Sequence, residues 1–162
     1  MESVLVTGGA GFIGSHLCER LLSRGVQVIC LDNFDPYYSP EIKRDNISGL
    51  SGNGLFKLVE GDIRDKDKLI ELFSAHRFES IVHLAARAGV RPSIQDPHIY
   101  QDVNIGGTIN LLELCREFGI NNFVFGSSSS VYGDSIKVPF SESEALSKPI
   151  SPYAASKQAC EL

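Results

Sequence analysis

The sequence lacks the features that would place it in a membrane or on a nucleic acid. Its 162 residues include 15 Lys and Arg against 20 Asp and Glu, a formal net charge of −5, so no basic excess is available for phosphate backbones or anionic lipids. No apolar run reaches the roughly 18 residues of a membrane-spanning helix. An apolar element already begins at Val4, which argues against a signal peptide. We predict a cytoplasmic protein with no nucleic-acid and no membrane partner.

Cysteine and histidine are too few and too scattered to suggest a disulfide framework or a metal site. None of the cysteines forms a C-x-x-C pair, and each lies in an apolar pattern, which is typical of reduced, buried thiols. The histidines show no metal-ligand spacing. We therefore predict free cysteines and no metal. The residues concerned are Cys18, Cys30, Cys115, Cys160, His16, His76, His83 and His98.

What the sequence does contain is an alternation of short apolar runs and longer amphipathic segments. The apolar runs predict strands over residues 4–7, 26–32, 56–60, 80–85 and 122–126. The amphipathic segments predict helices over residues 11–24, 40–50, 66–75 and 98–118, the last opened by Asp96-Pro97 and stopped by Gly119. Repeated β-α-β units with buried strands form parallel sheets covered by helices on both faces. The prediction is an α/β protein with a doubly wound parallel sheet.

A glycine-rich turn, GGAGFIG from Gly8 to Gly14, separates the first strand from the first helix. Gly8 allows a tight turn, Gly11 lets the backbone approach a pyrophosphate, and Gly14 lets the helix pack closely on the strand. The phosphates would then lie on free N–H groups at a positive helix terminus. An ordinary glycine-rich turn is the alternative, but the strand before it and the helix after it favour a dinucleotide site.

Asp32 ends the second predicted strand, 18 residues past Gly14. An acidic side chain there accepts hydrogen bonds from the adenosine ribose hydroxyls. No Arg replaces or follows it, since the next residues are Asn33 and Phe34. A 2′-phosphate beside this unpaired carboxylate would be repelled, so NAD is favoured over NADP. A solvated carboxylate at the end of a strand is the alternative reading.

Two polar motifs follow in the second half of the chain. In SPYAASK, Ser151 is expected to cap a helix that Pro152 opens, which places Tyr153 and Lys157 one turn apart on one face. A lysine ammonium about 5 Å from a tyrosine phenolate stabilises it by about 3 kcal/mol at an effective dielectric near 20. A Y-x-x-x-K pair alone is usually an ordinary exposed pair. The serines of GSSSSVYG follow the fifth strand and are expected at the carboxyl edge of the sheet, where such sheets bind ligands.

These motifs, with GDIRD at 61–65 and HLAA at 83–86, resemble the N-terminal part of an extended short-chain dehydrogenase/reductase of the NAD-dependent nucleotide-sugar epimerase/dehydratase family. The resemblance covers essentially the whole chain. It implies a Rossmann-type NAD-binding domain over 1–162 and a homodimer. Family members continue with about as much sequence again, which supplies most of the nucleotide-sugar pocket. This chain is therefore expected to bind NAD but to turn over UDP-sugars poorly by itself.

The resemblance also implies roles for individual residues. Tyr153 would be the catalytic base, Ser128 would hydrogen-bond the sugar 4-OH, and Lys157 would support Tyr153 and hold the nicotinamide ribose. Asn104, in DVNIGGT, also matches a family motif but is given no role. The residues implied to contact NAD are Gly8, Gly11, Phe12, Ile13, Gly14, Asp32, Asn33, Asp62, Ile63, Leu84, Ala85, Ala86, Tyr153 and Lys157.

The reaction subtype can be argued from the residues beside Ser128. Dehydratases that the chain resembles carry Thr-Asp-Glu at the positions of Ser128, Ser129 and Ser130, because elimination needs an extra carboxyl group for acid/base work. The serines cannot supply it, so a 4-epimerase, which oxidises C4 to a 4-keto sugar and returns the hydride, is favoured.

The substrate is predicted from the resemblance alone. Residues 32–47 and 85–97 are most similar to UDP-glucuronate 4-epimerases, with UDP-glucose 4-epimerase as the alternative. A non-catalytic NAD-binding sensor or scaffold is the alternative of another class. Retention of the serine, the tyrosine and the lysine together argues against it.

Overall fold

The computed structural model describes residues 3–146 and 148–162. These residues form two compact units, which we call the sheet unit (3–85 and 110–125) and the helical unit (86–109, 126–146 and 148–162). The single domain expected over 1–162 stays a prediction. In the described part of the chain no helix is long and apolar enough to cross a bilayer. The described residues also contain no cluster of His, Cys, Asp or Glu suited to a metal ion.

The sheet unit contains five parallel strands in the order β3-β2-β1-β4-β5. They are β1 (Ser3–Thr7), β2 (Gln27–Asp32), β3 (Phe56–Glu60), β4 (Ser80–His83) and β5 (Asn122–Phe125). The strand order turns back after β3, so right-handed crossovers place helices on both faces of the sheet. The predicted doubly wound parallel sheet is therefore confirmed, with small differences at the strand ends.

Helices α1 (Phe12–Leu22), α2 (Pro40–Ser48) and α3 (Lys66–Ala75) connect the first four strands, close to the predicted ranges. β1 and β2 are almost completely buried, and their apolar side chains form the core with Cys18 and Leu22 of α1. All four cysteines are free, as predicted, and three of them are buried while Cys160 is partly exposed.

The long helix predicted over 98–118 is interrupted. Its parts are α5 (Pro97–Tyr100), a π-helical segment (Gln101–Gly106) and α6 (Gly107–Phe118). Within the π-helical segment the Asn104 carbonyl accepts hydrogen bonds from the side chains of Thr108 and Cys160. These side-chain donors satisfy a carbonyl in a segment where the regular α-helical ladder is lost. As predicted, Pro97 opens α5 and Gly119 follows the last helical residue with φ of +70. Asp96 makes no capping bond.

The helical unit also contains two short elements that the sequence patterns did not predict, α4 (Val90–Gln95) and a 3₁₀ helix (Ser129–Tyr132). The longest helix among the described residues of this unit is α7 (Pro152–Glu161). The Ser151 hydroxyl accepts the Ala154 N–H at 3.0 Å, so the predicted N-cap is confirmed.

Candidate functional sites

The glycine-rich turn between β1 and α1 has no room for side chains at most of its glycines. A Cβ added to Gly8 would lie 2.7 Å from the Ala85 nitrogen, and one added to Gly14 would lie 2.2 Å from the Gly8 carbonyl oxygen. Gly8 also has φ of +68, a region that favours glycine. The tight turn at Gly8 is confirmed. Gly14 allows α1 to pack against the turn itself, rather than against the strand as predicted.

Gly11 differs from its neighbours, because the nearest atom to an added Cβ would be the Gly8 oxygen at 3.2 Å. It is the N-cap of α1, and no side chain caps it. The first N–H groups of a helix have no partner within the helix, and they carry its positive dipole end. Phe12 and Ile13, the next two residues, are 76% and 68% exposed. An open backbone at a helix N-terminus fits the phosphates of a dinucleotide.

Asp32, at the end of β2, is buried, and both of its carboxylate oxygens accept hydrogen bonds. Its Oδ2 accepts the Ala10 N–H at 3.2 Å, and its Oδ1 accepts the Phe34 N–H at 2.9 Å. Oδ1 also pairs with Lys43 Nζ at 3.1 Å. The expectation of an unpaired carboxylate is therefore wrong. The residues adjacent to Asp32 in sequence include no cation. Its partner, Lys43, lies 11 residues further on, in α2.

Asn33 and Asp62 contact each other where β2 and β3 end. Asn33 Nδ2 donates to Asp62 Oδ2 at 2.9 Å, and Arg64 donates to both carboxylate oxygens, at 2.9 Å through Nε and 2.7 Å through a terminal nitrogen. Chiefly because of the Arg64 side chain, the pKa of Asp62 is lowered to about 2. Ile63 is buried, and its carbonyl accepts from Asn110 at 3.1 Å. Asn33, Asp62 and Ile63, which are predicted to contact NAD, are therefore brought close together and held by hydrogen bonds.

The turn after β4 is fixed against the end of β1. Thr7 Oγ1 hydrogen-bonds His83 Nδ1 at 2.6 Å and accepts the Ala85 N–H at 3.2 Å, while the Thr7 carbonyl accepts the Leu84 N–H at 3.1 Å. The predicted cofactor residues Leu84 and Ala85 therefore lie beside the glycine turn, within the sheet unit. The role of Thr7 and the buried His83 in holding them was not predicted from the sequence.

The helical unit holds Ala86 and the three residues predicted to be catalytic. Tyr153 and Lys157 lie one turn apart in α7. Lys157 is only 3% exposed, and its Nζ donates to the Gly126 carbonyl at 2.8 Å. Burial lowers the pKa of Lys157 to about 8, against smaller opposite effects of Cys160 and Glu161. The lysine is therefore held in place by a backbone carbonyl in a poorly hydrated environment.

Ser128 is the N-cap of the 3₁₀ helix, where its hydroxyl accepts the Ser130 N–H at 3.2 Å. Tyr153 packs edge-on against the buried Tyr100, with ring centroids 6.1 Å apart, and the Tyr100 hydroxyl donates to the Ala88 carbonyl at 2.7 Å. Tyr100 was not among the predicted site residues. A tyrosine near the start of an amphipathic segment is indistinguishable from a core residue by pattern alone.

Asn104, which was given no role, organises the backbone of this unit. Its Oδ1 accepts the Arg87 N–H at 2.7 Å, and its Nδ2 donates to the Arg87 carbonyl at 3.1 Å and to Ser156 Oγ at 2.9 Å. Ser156 belongs to α7, between Tyr153 and Lys157 in sequence. Asn104 therefore ties the segment after Ala86 to the helix that carries the predicted catalytic residues.

Known proteins are similar to this chain in sequence and in fold. UDP-glucuronate 4-epimerase 1 of Arabidopsis thaliana is 49% identical over 160 residues, which are 98% of this chain and 37% of that protein. A solved structure of UDP-glucuronic acid 4-epimerase from Bacillus cereus, in complex with UDP-glucuronic acid and NAD, superimposes with a TM-score of 0.89 at 38% identity, covering 98% of this chain and 50% of that one. UDP-glucose 4-epimerase of Thermus thermophilus, in complex with NAD, gives a TM-score of 0.86 at 41% identity, covering 98% and 48%.

The chain thus spans half or less of the length of these relatives. The family model described as GDP-mannose 4,6 dehydratase matches residues 5–162. This match confirms the resemblance to nucleotide-sugar epimerases and dehydratases that the motifs indicated, and the chain belongs to this family.

Proposed function

We propose that the protein carrying this chain is an NAD-dependent UDP-sugar 4-epimerase acting on UDP-glucuronate. The observation that carries the proposal is the arrangement in α7, where a buried lysine one turn from Tyr153 is anchored on the Gly126 carbonyl. This arrangement suits a tyrosine that must lose and regain a proton. The similarity to 4-epimerases of UDP-glucuronate and UDP-glucose supports the same reaction class.

The sheet unit fits the dinucleotide. The glycine turn is less crowded at Gly11 than at its other glycines, α1 presents its uncapped N-terminus, and Asp32 is proposed as an acceptor for ribose hydroxyls. The Bacillus cereus and Thermus thermophilus relatives contain NAD. When bound, NAD supplies a reversible hydride acceptor.

The chain's own residues then handle the proton and the alignment of the sugar. Tyr153 takes the proton from the sugar O4 and later returns it. Lys157 stabilises the phenolate with its ammonium charge, and Ser128 hydrogen-bonds the same sugar oxygen. Ser129 and Ser130 offer hydroxyls where a dehydratase needs carboxyl groups. The proposed reaction is therefore epimerisation and not the dehydration after which the matching family, GDP-mannose 4,6 dehydratase, is described.

UDP-glucuronate is proposed over UDP-glucose on the 49% identity to UDP-glucuronate 4-epimerase 1 of Arabidopsis thaliana. Identity to the solved structures does not separate the two substrates, at 38% for the Bacillus cereus enzyme and 41% for the Thermus thermophilus enzyme. A homodimer is also proposed. On α6 the apolar Ile109 and Leu112 are 53% and 43% exposed, and burying such side chains against a second copy is favourable. Light scattering at micromolar concentration tests this, and a clean monomer would contradict it.

The function is tested by following conversion of UDP-glucuronate to UDP-galacturonate, with UDP-glucose as the competing substrate. We expect a form extended to the length of the relatives to convert UDP-glucuronate, and its Tyr153→Phe variant to lose turnover while still binding NAD. The 162 residues alone are expected to bind NAD and to convert the sugar poorly. Tyr132→Phe is the matched control, since Tyr132 stacks on Phe140 and has no proposed role. An active Tyr153→Phe variant would refute the assigned base. Absence of any UDP-sugar-dependent reduction of bound NAD would favour the sensor or scaffold alternative.

A further inference from the structure

The Lys43–Asp32 ion pair lies beside the proposed adenosine ribose position, and no step of the proposed reaction uses it. We propose that Lys43 contributes to cofactor specificity: it neutralises Asp32, and where a neutral side chain replaces Asp32 it is the cation that binds the 2′-phosphate of NADP. This inference rests on the proposed binding of NAD by the sheet unit. It assigns to Lys43 a role that the reaction itself does not need.

Lys43 is held in position, unlike an ordinary surface lysine. Its Nζ lies 3.1 Å from Asp32 Oδ1, with only 13% of the lysine side chain and 4% of the aspartate side chain exposed. The same helix, α2, is tied to the glycine turn by Asn46, whose Nδ2 donates to the Ala10 carbonyl at 3.0 Å. Ala10 in turn donates its N–H to Asp32. The ammonium, the carboxylate and the glycine turn therefore form one rigid cluster.

This pair differs from the other ion pairs nearby. Glu60 pairs with Arg44 and Asp62 with Arg64, but in the first pair both side chains are more than half exposed, and in the second the arginine is 41% exposed. Water can stabilise those charges if a partner is removed. Lys43 is mostly withdrawn from water, so without the Asp32 charge it would be a poorly solvated cation that favours an anion as its new partner.

A phosphate is a chemically suitable replacement for the carboxylate. Lysine binds phosphate as a point charge through short, charge-assisted hydrogen bonds. Arg44, the next residue in α2, is already placed over the Phe34 ring at 4.3 Å and against Glu60 at 3.4 Å. Lys43 is therefore the basic side chain that the described residues place within hydrogen-bonding distance of Asp32.

The experiment measures the dissociation constants of NAD and NADP by calorimetry for wild type, Asp32→Asn, Lys43→Met and the double variant. Asn keeps the shape of Asp32 and can still accept one backbone N–H. We expect Asp32→Asn to improve NADP binding by about tenfold or more relative to NAD, and the double variant to lose that gain. Lys57→Met in the Asp32→Asn background removes the same charge elsewhere in the sheet unit and should keep the gain. Asp32→Ser repeats the test if Asp32→Asn fails to fold.

Two results would overturn the proposal. One is an Asp32→Asn variant that binds NADP no better than wild type. The other is a double variant that keeps the gain, which would assign the phosphate to another cation. If either result is obtained while the wild-type protein binds NAD, the proposed function is unaffected. Wild type that binds neither dinucleotide would instead refute the proposed function, and this inference with it.

Discussion

The surroundings of Asp62, in the sheet unit, favour its charged form, whereas those of Lys157, in the helical unit, disfavour it. Asp62 is surrounded by donors from Arg64 and Asn33, which lower its pKa and favour the charged form. Lys157 is buried against the Gly126 carbonyl, and its burial lowers the pKa toward neutrality, which disfavours the charged form. The difference shows that Asp62 keeps its charge at physiological pH, while Lys157 holds a charge that is lost as the pH rises through about 8.

The turn that precedes the charged residues of the sheet unit is equally fixed, and Gly14→Ala should break it. The new Cβ would lie 2.2 Å from the Gly8 oxygen and 2.7 Å from Gly9 Cα, and both are backbone atoms that cannot yield cheaply. We expect the free energy of unfolding to fall by about 3 kcal/mol or more, with loss of NAD binding. Urea unfolding measures the change. Gly52→Ala is the control, since nothing lies within 4 Å of its added Cβ. Equal effects of the two variants would contradict the packing described.

Lys157→Met should sharpen the comparison through pH. The pKa of Lys157 is lowered from 10.5 to about 8 in the folded protein, so the unfolded chain binds this proton more tightly. Wild-type stability should therefore rise between about pH 8 and pH 10.5, by about 3 kcal/mol from this group. In Lys157→Met that contribution is absent. Urea unfolding of both proteins across this range tests it, with the exposed Lys66→Met as control. A wild-type minus variant difference that does not change with pH would contradict the burial argument.

Asp62→Asn should show a pH dependence of the same sign, but in the acid range and for a charge that the folded state favours. Arg64 lowers the pKa of Asp62 from 3.8 to about 2, so the folded state favours the carboxylate. Its stabilisation of about 2 kcal/mol is present above pH 4 and is lost as the pH falls through about 2. The variant should therefore be less stable than wild type at pH 6, and the gap should narrow toward pH 3. Asp134→Asn, in an exposed loop, is the control. A difference in the free energy of unfolding between wild type and Asp62→Asn that grows as the pH falls would contradict the lowered pKa of Asp62.

The smallest effect is expected from Ser151→Ala, which removes the cap of α7. The lost Ala154 N–H···Oγ bond should cost about 1 kcal/mol. Ser39→Ala is a matched control, because Ser39 is the N-cap of α2 but its side chain makes no capping bond. Thermal unfolding of the two variants compares them, and equal shifts would show that the cap adds nothing.

Short-range patterns predicted the fold well. The strands were found within a few residues, because their apolar runs are bounded by glycines and polar residues. Gly8 and Ser151 were assigned correctly for the same reason, since a turn and a cap are decided by neighbours in sequence. The expectation of buried strands holds for β1 and β2, whereas the edge strands β3 and β5 are partly exposed. The α4 segment was missed because its six residues are too few for a period and include Pro92.

Long-range contacts could not be predicted in this way. In the sequence, Lys43 cannot be distinguished from the other charged residues of a polar helix. It reaches Asp32 only because α2 packs on the glycine turn. The π-helical segment was not predicted, and one of the contacts made within it, the bond from Cys160 to the Asn104 carbonyl, joins residues 56 apart. The predicted roles of the site residues stay predictions until the variants are measured.

The division into two units has a consequence for how such proteins can change. The chain passes between the units three times, after Ala85, after Ile109 and after Phe125. Two of these passages directly follow the ends of β4 and β5. Neither unit is therefore a continuous stretch of sequence, and a single recombination event cannot exchange one while keeping the other. A chimaera that exchanges one unit of this chain for that of a relative therefore needs three matched junctions.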